Sequence, residues 1–305
     1  MKNLFLILMV TGFVILGCKK EDSQSNVQPA PVTIGAPTGL SATFTWDSKI
    51  RLKWNANTET DLVGYKLYSD TVTNPSKILA TGLLSFTAFL DTGLISGTTY
   101  YFRVSAYNSK GTESSKSAEV SVTVTEKIIE IKTSFGSMYM WLYKQTPLHR
   151  ANFLALADTN FFDSTTFHRI VQNFVIQGGD PNSKDKDTTN DGTGGPPWTI
   201  PAEINATKFK HVYGAVGAAR DNNPAKASNG SQFYIVIPTA GTPSLNGAYT
   251  VFGQIIKGMD VANLIVAQPN NPTNNRPYQD IKMVVKILDK TLDQIKTEYN
   301  YTPPQ

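Results

Sequence analysis

The chain has 305 residues, 40% of them hydrophobic and 17% charged, a size that points to two domains at about 150 residues each. Its composition excludes disordered, collagen-like and coiled-coil classes. Lys+Arg 28 against Asp+Glu 24 leaves +4, scattered rather than gathered into an arm or helix, which argues against nucleic acid as the main partner. One cysteine, Cys18, rules out an intrachain disulfide framework and multi-cysteine metal sites.

Residues 1–17 carry one early cation, Lys2, and an apolar run from Leu4 to Leu16. That run is short for a bilayer span and right for the core of a signal peptide. It ends Ile15, Leu16, Gly17, Cys18, which resembles the bacterial lipoprotein lipobox. The resemblance implies cleavage before Cys18 and lipidation of its thiol. Two or three acyl chains, each contributing about 0.8 kcal/mol per buried methylene, would hold the protein at a membrane. Lys19 and Lys20, rather than an aspartate, follow the cysteine, so the expected address is the outer membrane of the cell envelope, on its periplasmic face or at the cell surface. Residues 18–36 hold the lipidated cysteine and then a polar stretch with Ser23, Gln24, Ser25, Gln28, Pro29 and Pro31. This reads as a flexible tether reaching roughly 20 to 25 Å.

From residue 37 to 125 short alternating runs, such as Lys49–Trp54 and Tyr100–Ala106, are separated by turn residues at 55–60, 74–75 and 109–111. Period two with regular turns predicts a β-sandwich. Pro37, Thr38, Gly39, Leu40, then Trp54, then Gly64 and Tyr65, and Leu94 six residues before Tyr100 resemble a fibronectin type III domain with a tyrosine corner. A sandwich hosts many roles, and a spacer is the expected one. A polysaccharide-handling role would need exposed aromatics, with Trp46 and Tyr68 the candidates.

The second domain, 127–290, follows directly, with Glu126 and Lys127 as the whole linker. Ile129, Ile131, the turn 134–137, then Met138, Met140 and Leu142 predict a β-hairpin. Thr146 as N-cap and Pro147 at the first position predict a helix carrying Phe153 and Leu156 on one face. A second helix is predicted over 259–267, with Met259, Ala262 and Ile265 in a stripe. The remainder reads as strand and loop, and 291–305 as a C-terminal tail.

Three segments carry the chemistry: Phe167, His168, Arg169, Ile170 with Phe174 to Asp180; Asn229 to Ile235; and Leu245, Asn246, Gly247 with Val251, Phe252, Gly253. Ordered over about 160 residues, they resemble the cyclophilin family of peptidyl-prolyl cis/trans isomerases. The fold thus expected is mainly β: a fibronectin type III sandwich followed by a cyclophilin-like eight-stranded antiparallel barrel capped by two α-helices.

Rotation about an X-Pro bond crosses about 18 to 20 kcal/mol because amide resonance is lost. No bond to a heavy atom is made or cut. Such an enzyme needs a notch for the pyrrolidine ring, donors for the flanking backbone and a donor to the twisted amide, but no nucleophile, cofactor or metal. By resemblance, Arg169 is the catalytic guanidinium and Gln177 orients it. Phe174, Val175 and Leu245 line the proline notch, with Tyr234 on its wall. Gly192 and Gln232 border an adjacent groove, and the backbone of Ala219 and Arg220 grips the residue before proline. Tyr249 follows the Asn-Gly turn at the rim.

The departures from the family are Val175 for Met, Tyr234 for Phe, Arg220 for Asn, Ser244 for Trp and Tyr249 for His. Tyr234 brings a hydroxyl that must find a partner or reach water. Ser244 removes an indole donor the family uses for cyclosporin, so weak sensitivity is expected. His149, His168 and His211 are dispersed, without metal-ligand spacing, and His168 is expected to be a structural hydrogen-bonding residue. Residues 180–191 read as a solvated insertion rather than a calcium loop. The expected partners are proline-containing polypeptides and, through the lipid, a membrane; a monomer is expected. The alternative is a proline-peptide-binding or adhesion module without turnover.

Overall fold

The computed structural model describes residues 33–45 and 49–304. The expectations for the signal segment, for Cys18 and for almost all of the tether fall outside them, as does Trp46.

The sandwich is built from β1 (Ser41–Thr45), β2 (Lys49–Lys53), β3 (Leu62–Asp70), β4 (Ala88–Asp91), β5 (Thr99–Asn108) and β6 (Val120–Thr123). Two three-stranded antiparallel sheets, β1-β2-β4 and β3-β5-β6, face each other. Alternation puts Ile50, Leu52, Leu67, Phe102, Val104 and Ala106 inside, with Trp54 packed edge-on against Tyr65 at 5.5 Å. The predicted tyrosine corner is present: the Ile95 amide donates to the Tyr100 hydroxyl at 3.2 Å. The expected start at 37 is late, because Ile34 is already buried in this core.

The barrel comprises β7 (Glu126–Thr133), β8 (Gly136–Leu142), β9 (Arg169–Ile170), β10 (Val175–Gly178), β12 (Ala215–Ala218), β14 (Phe233–Val236), β15 (Val251–Lys257) and β16 (Val284–Lys290). A small ladder of β11 (Thr199–Ile200) and β13 (Ser228–Asn229) lies beside it. The eight strands run in the order β16-β7-β8-β15-β12-β14-β10-β9. The ends meet through Phe167 N to Ile281 O at 3.0 Å and Met283 N to Thr165 O at 2.8 Å. Inside, Ile129, Ile131, Met138, Met140, Ile176, Val216, Phe233 and Ile235 pack against α1 (Pro147–Asp158) and α2 (Met259–Val266). Of the predicted stripes, Phe153 and Leu156 on α1 and Ala262 and Ile265 on α2 are buried, while Met259 is only partly so.

Three expectations are corrected. Glu126 and Lys127 are no linker, since β7 begins at Glu126 and pairs with Lys290 at that position; Glu126 is buried in an ion pair with Lys144 at 2.8 Å. The tail 291–305 contains a third helix, α3 (Leu292–Tyr299), begun by a reciprocal Thr291–Gln294 capping box, which satisfies two backbone donors. Its Ile295 and Tyr299 cover Ile128 and Trp141 on the outside of the hairpin. Thr146 precedes α1 as expected but caps nothing with its side chain, donating instead to Tyr143 O at 3.2 Å. The cap is the Glu203 carboxylate, which accepts from the Leu148 and His149 amides at 2.9 Å each, a negative charge set against the positive end of the helix.

Candidate active site

Strand alternation sorts this sheet into two faces. The residues pointing away from the barrel core form a second cluster: Val175, Phe209, Ala215, Ala219, Tyr234, Val236 and Val251, flanked by Phe174, Leu245 and Tyr249. Register then aligns the polar members in one row. Arg169 on β9 lies opposite Gln177 on β10, Gln177 opposite Tyr234 on β14, and Tyr234 opposite Gly217 on β12. A Cβ at Gly217 would overlap the Tyr234 ring, so the glycine makes room for the tyrosine.

Above this row opens a notch of about 110 Å³ lined by Arg169, Phe174, Val175, Gln177, Ala219, Arg220, Tyr234, Leu245 and Tyr249. These nine were all expected at the site. A dry cavity of about 150 Å³ takes up benzene, so the space suits a five-membered ring. Arg169 sits at its mouth, half-buried, with Nη1 donating to Gln177 Oε1 at 3.4 Å and the guanidinium 5.8 Å from the Phe174 ring centre. Burial lowers its proton affinity. Among the described residues no carboxylate comes within ion-pair distance of it.

Gly192 and Gln232 do not line the notch, and they adjoin Thr193 and Gly194 of the neighbouring groove. Gln232 is buried, accepts from Gln177 Nε2 at 2.9 Å, and donates to Gly192 O at 3.0 Å and Gly194 O at 2.7 Å. The adjacent groove, about 460 Å³, is bounded by Gly195, Pro197, Trp198, Asp221, Asn223 and Asn229, among others. The Ala219 amide is not free to grip a peptide, because it donates to Gln232 O at 3.0 Å while its carbonyl accepts from Asn229 at 2.8 Å. Its side chain forms part of the notch wall, next to Arg220. The Arg220 side chain donates to Ala248 O at 3.0 Å and lies 4.7 Å over the Tyr249 ring, tying the rim together.

The Tyr234 hydroxyl finds a partner the sequence did not disclose. It lies 2.8 Å from His211 Nε2, while His211 Nδ1 and the His211 amide lie 3.0 and 2.9 Å from Asn246 Oδ1. An acceptor at Nδ1 puts the ring proton there, leaving Nε2 to accept from the tyrosine. Burial pushes Tyr234 well above the usual phenol range and His211 below the usual imidazole range, which favours this neutral pair. His168 departs from expectation: it is buried with neither ring nitrogen hydrogen-bonded to protein, and burial lowers its pKa. Residues 184–189 are exposed, as expected of an insertion, but the segment's ends are not solvated. Asp180 is fully buried, accepting from the Asn182 and Gly194 amides, and Asp191 is paired with Arg276. Tyr68 is buried in the sandwich and offers no sugar-stacking face.

Comparison with known proteins agrees with this geometry. The model of the cyclophilin type peptidyl-prolyl cis-trans isomerase family matches residues 128–286, and that of the fibronectin type III domain matches 35–123. Peptidyl-prolyl cis-trans isomerase-like 1 of Neurospora crassa is 35% identical over 165 residues, covering 51% of this chain and 90% of that protein. A peptidyl-prolyl cis-trans isomerase of Acinetobacter baylyi is 33% identical over 181 residues, 55% of this chain and 88% of the relative. Peptidyl-prolyl cis-trans isomerase B of Bacillus subtilis is 41% identical over 112 residues, 37% of this chain and 70% of the relative. The chain therefore belongs to the cyclophilin-type peptidyl-prolyl isomerases, with a fibronectin type III domain ahead of the isomerase domain.

Proposed function

We propose that this isomerase turns over X-Pro bonds of extracytoplasmic polypeptides by stabilising the twisted amide with the Arg169 guanidinium. The proline ring enters the notch between Phe174, Val175, Leu245 and Tyr234, where its apolar surface leaves water. The backbone before proline lies along Arg220. As the bond rotates, resonance is lost and the imide nitrogen regains its lone pair, toward which Arg169 donates. Gln177, steadied by Gln232, holds the guanidinium in that direction. A donor already oriented in a partly water-excluded site needs little reorganisation at the moment of reaction, and a planar fork of permanent donors does this better than a lysine. Removing roughly 5 to 8 kcal/mol of barrier would give about four to six decades in rate.

The observation that carries the reading is a half-buried guanidinium, with no carboxylate among the described residues to neutralise it, at the mouth of an apolar notch of about 110 Å³. Isomerisation of a Xaa-Pro peptide by the wild type and by Arg169→Ala tests it. The variant is expected to lose about 10²-fold or more in kcat, and equal rates would defeat the assignment. The cellular address belongs to the same proposal: a monomer held through lipidated Cys18 on the outer membrane, with the sandwich as spacer. Labelled fatty acid should enter the wild type and not Cys18→Ala, and protease treatment of intact cells should separate surface from periplasmic exposure. A soluble, unlabelled wild type would refute the anchor.

A further inference from the structure

Two segments beside Arg169 have no part in the mechanism above: the loop 268–280 and the stretch around Asp191. Strand β9, which carries Arg169, is two residues long and ends the sheet, paired on one side by β10. Two ladder positions do not fix a strand, and its other edge is held by the loop. The Ile170 amide donates to Asn275 O at 2.8 Å, and Ile170 O accepts from Asn270 Nδ2 at 2.8 Å. The next residue, Arg276, spreads its fork: Nε to Asp191 at 2.6 Å, Nη2 to Asp280 at 2.8 Å and Nη1 to Pro277 O at 3.2 Å. The Asp191 side chain is 5% exposed, so this contact is shielded from solvent and salt.

From Asp191 the chain leads back to the site. Its neighbour Gly192 offers the carbonyl that Gln232 Nε2 grips, Gln232 receives Gln177, and Gln177 receives Arg169. The contacts close a circuit around the reacting group, running Arg169, Gln177, Gln232, Gly192, Asp191, Arg276, Asn275, Ile170. Beside it lies the buried His168 ring, against which a Cβ at Gly192 would come into contact.

We propose that Arg276 and Asp191 are positioning residues for isomerisation: their ion pair joins the loop bracing β9 to the loop bracing Gln232, and so fixes where the Arg169 guanidinium points. The need follows from the last link. The Arg169–Gln177 hydrogen bond is 3.4 Å long, too weak to immobilise alone a side chain with so many rotatable bonds. The rest of the circuit supplies the constraint from both sides. The proposal rests on Arg169 being the catalytic group.

The test is steady-state isomerisation of one Xaa-Pro peptide by the full chain carrying Arg276→Gln, Asp191→Asn, Arg276→Lys or Asp280→Asn, beside wild type and Arg169→Ala. Misdirection of a bound group is a kcat effect. Arg276→Gln and Asp191→Asn are expected to lower kcat about tenfold, with KM within about twofold of wild type. Arg276→Lys should recover part of the loss, and Asp280→Asn, which cuts only the outer limb of the fork, should stay near wild type. If Arg276→Gln does not fold, the near-isosteric Asp191→Asn carries the test. Lower thermal stability with unchanged kcat in both variants would overturn the proposal, as would an equal loss in Asp280→Asn. Arg169→Ala turning over like wild type would instead overturn the reading beneath it, and the proposal with it.

Discussion

The sandwich and the barrel each keep a charged side chain beside aromatic surface, and they treat it in opposite ways. In the sandwich, Glu113 receives Lys66 at 2.8 Å, Ser105 at 2.7 Å and the Tyr68 hydroxyl. Burial alone would raise its pKa, but these bonds outweigh it and hold the carboxyl at about 2. Both carboxylate oxygens accept hydrogen bonds within the fold. In the barrel, Arg169 makes a long hydrogen bond to Gln177, meets no counter-charge among the described residues, and faces an open notch. A charge surrounded by partners stabilises structure; a half-buried charge without one keeps its field for a ligand. The unneutralised charge thus lies in the isomerase domain, and the satisfied one in the fibronectin type III domain.

The strongest attempt to break this contrast without touching a reacting group is Gly217→Ala. The added methyl displaces the Tyr234 ring into the notch, and kcat/KM is expected to fall about tenfold or more, with about 1 to 3 kcal/mol of overpacking in urea titrations. Glu113→Gln is the mirror experiment. It should cost the sandwich about 1 to 3 kcal/mol while kcat stays at the wild-type value; a parallel fall in kcat would show that the two regions are not divided as described.

His211→Leu sharpens the account of the notch wall. Alone it leaves the Tyr234 hydroxyl without its partner, a loss of about 1 to 3 kcal/mol, whereas His211→Leu with Tyr234→Phe removes both groups of that hydrogen bond and should recover most of it. Chemical denaturation of the two variants checks this, and equal losses would contradict the assigned hydrogen bond.

Acid should separate the regions in order. His168 and His211 have folded pKa values below 6.5, so the unfolded chain takes up protons first. Their contribution is complete above pH 6.5 and is lost as pH falls through the folded values. Glu113 lies below its usual 4.5, so its contribution is complete above 4.5 and is lost toward pH 2. Barrel melting should thus decline from pH 6.5 downward while the sandwich holds until below 4.5, as seen by tryptophan and amide probes in each domain. A sandwich that softens first would reverse the ordering. The smallest effect is expected from cyclosporin: exposed Ser244 provides no indole donor, and an inhibition titration giving a nanomolar constant would contradict this.

Much of the site was legible because its residues are local in sequence and sit on strands of known parity. Phe167 to Asp180 delivers Arg169, Phe174, Val175 and Gln177 to the notch at once, Asn229 to Ile235 adds Tyr234, and register then sets Arg169, Gln177 and Tyr234 in a row. Groups whose role depends on a distant partner were not legible. The Ala219 amide is taken up by Gln232 O, a cross-strand bond that no local pattern announces. His211, held by Asn246, reaches Tyr234 from a loop, and Arg276 meets Asp191 across 85 positions. Helix α3 is the exception, since Thr291, Gln294, Ile295 and Tyr299 spell a capping box and an i,i+4 apolar pair that could have been read directly.

The shape of the charge at Arg169 matters as well as its sign. Exchange NMR on the cis and trans signals of a Xaa-Pro peptide measures it most directly, with wild type and Arg169→Lys compared at equal peptide occupancy. Lysine keeps the charge but not the planar fork, so exchange should slow by more than about tenfold while the dissociation constant stays close to wild type. Exchange at the wild-type rate in Arg169→Lys would contradict the account.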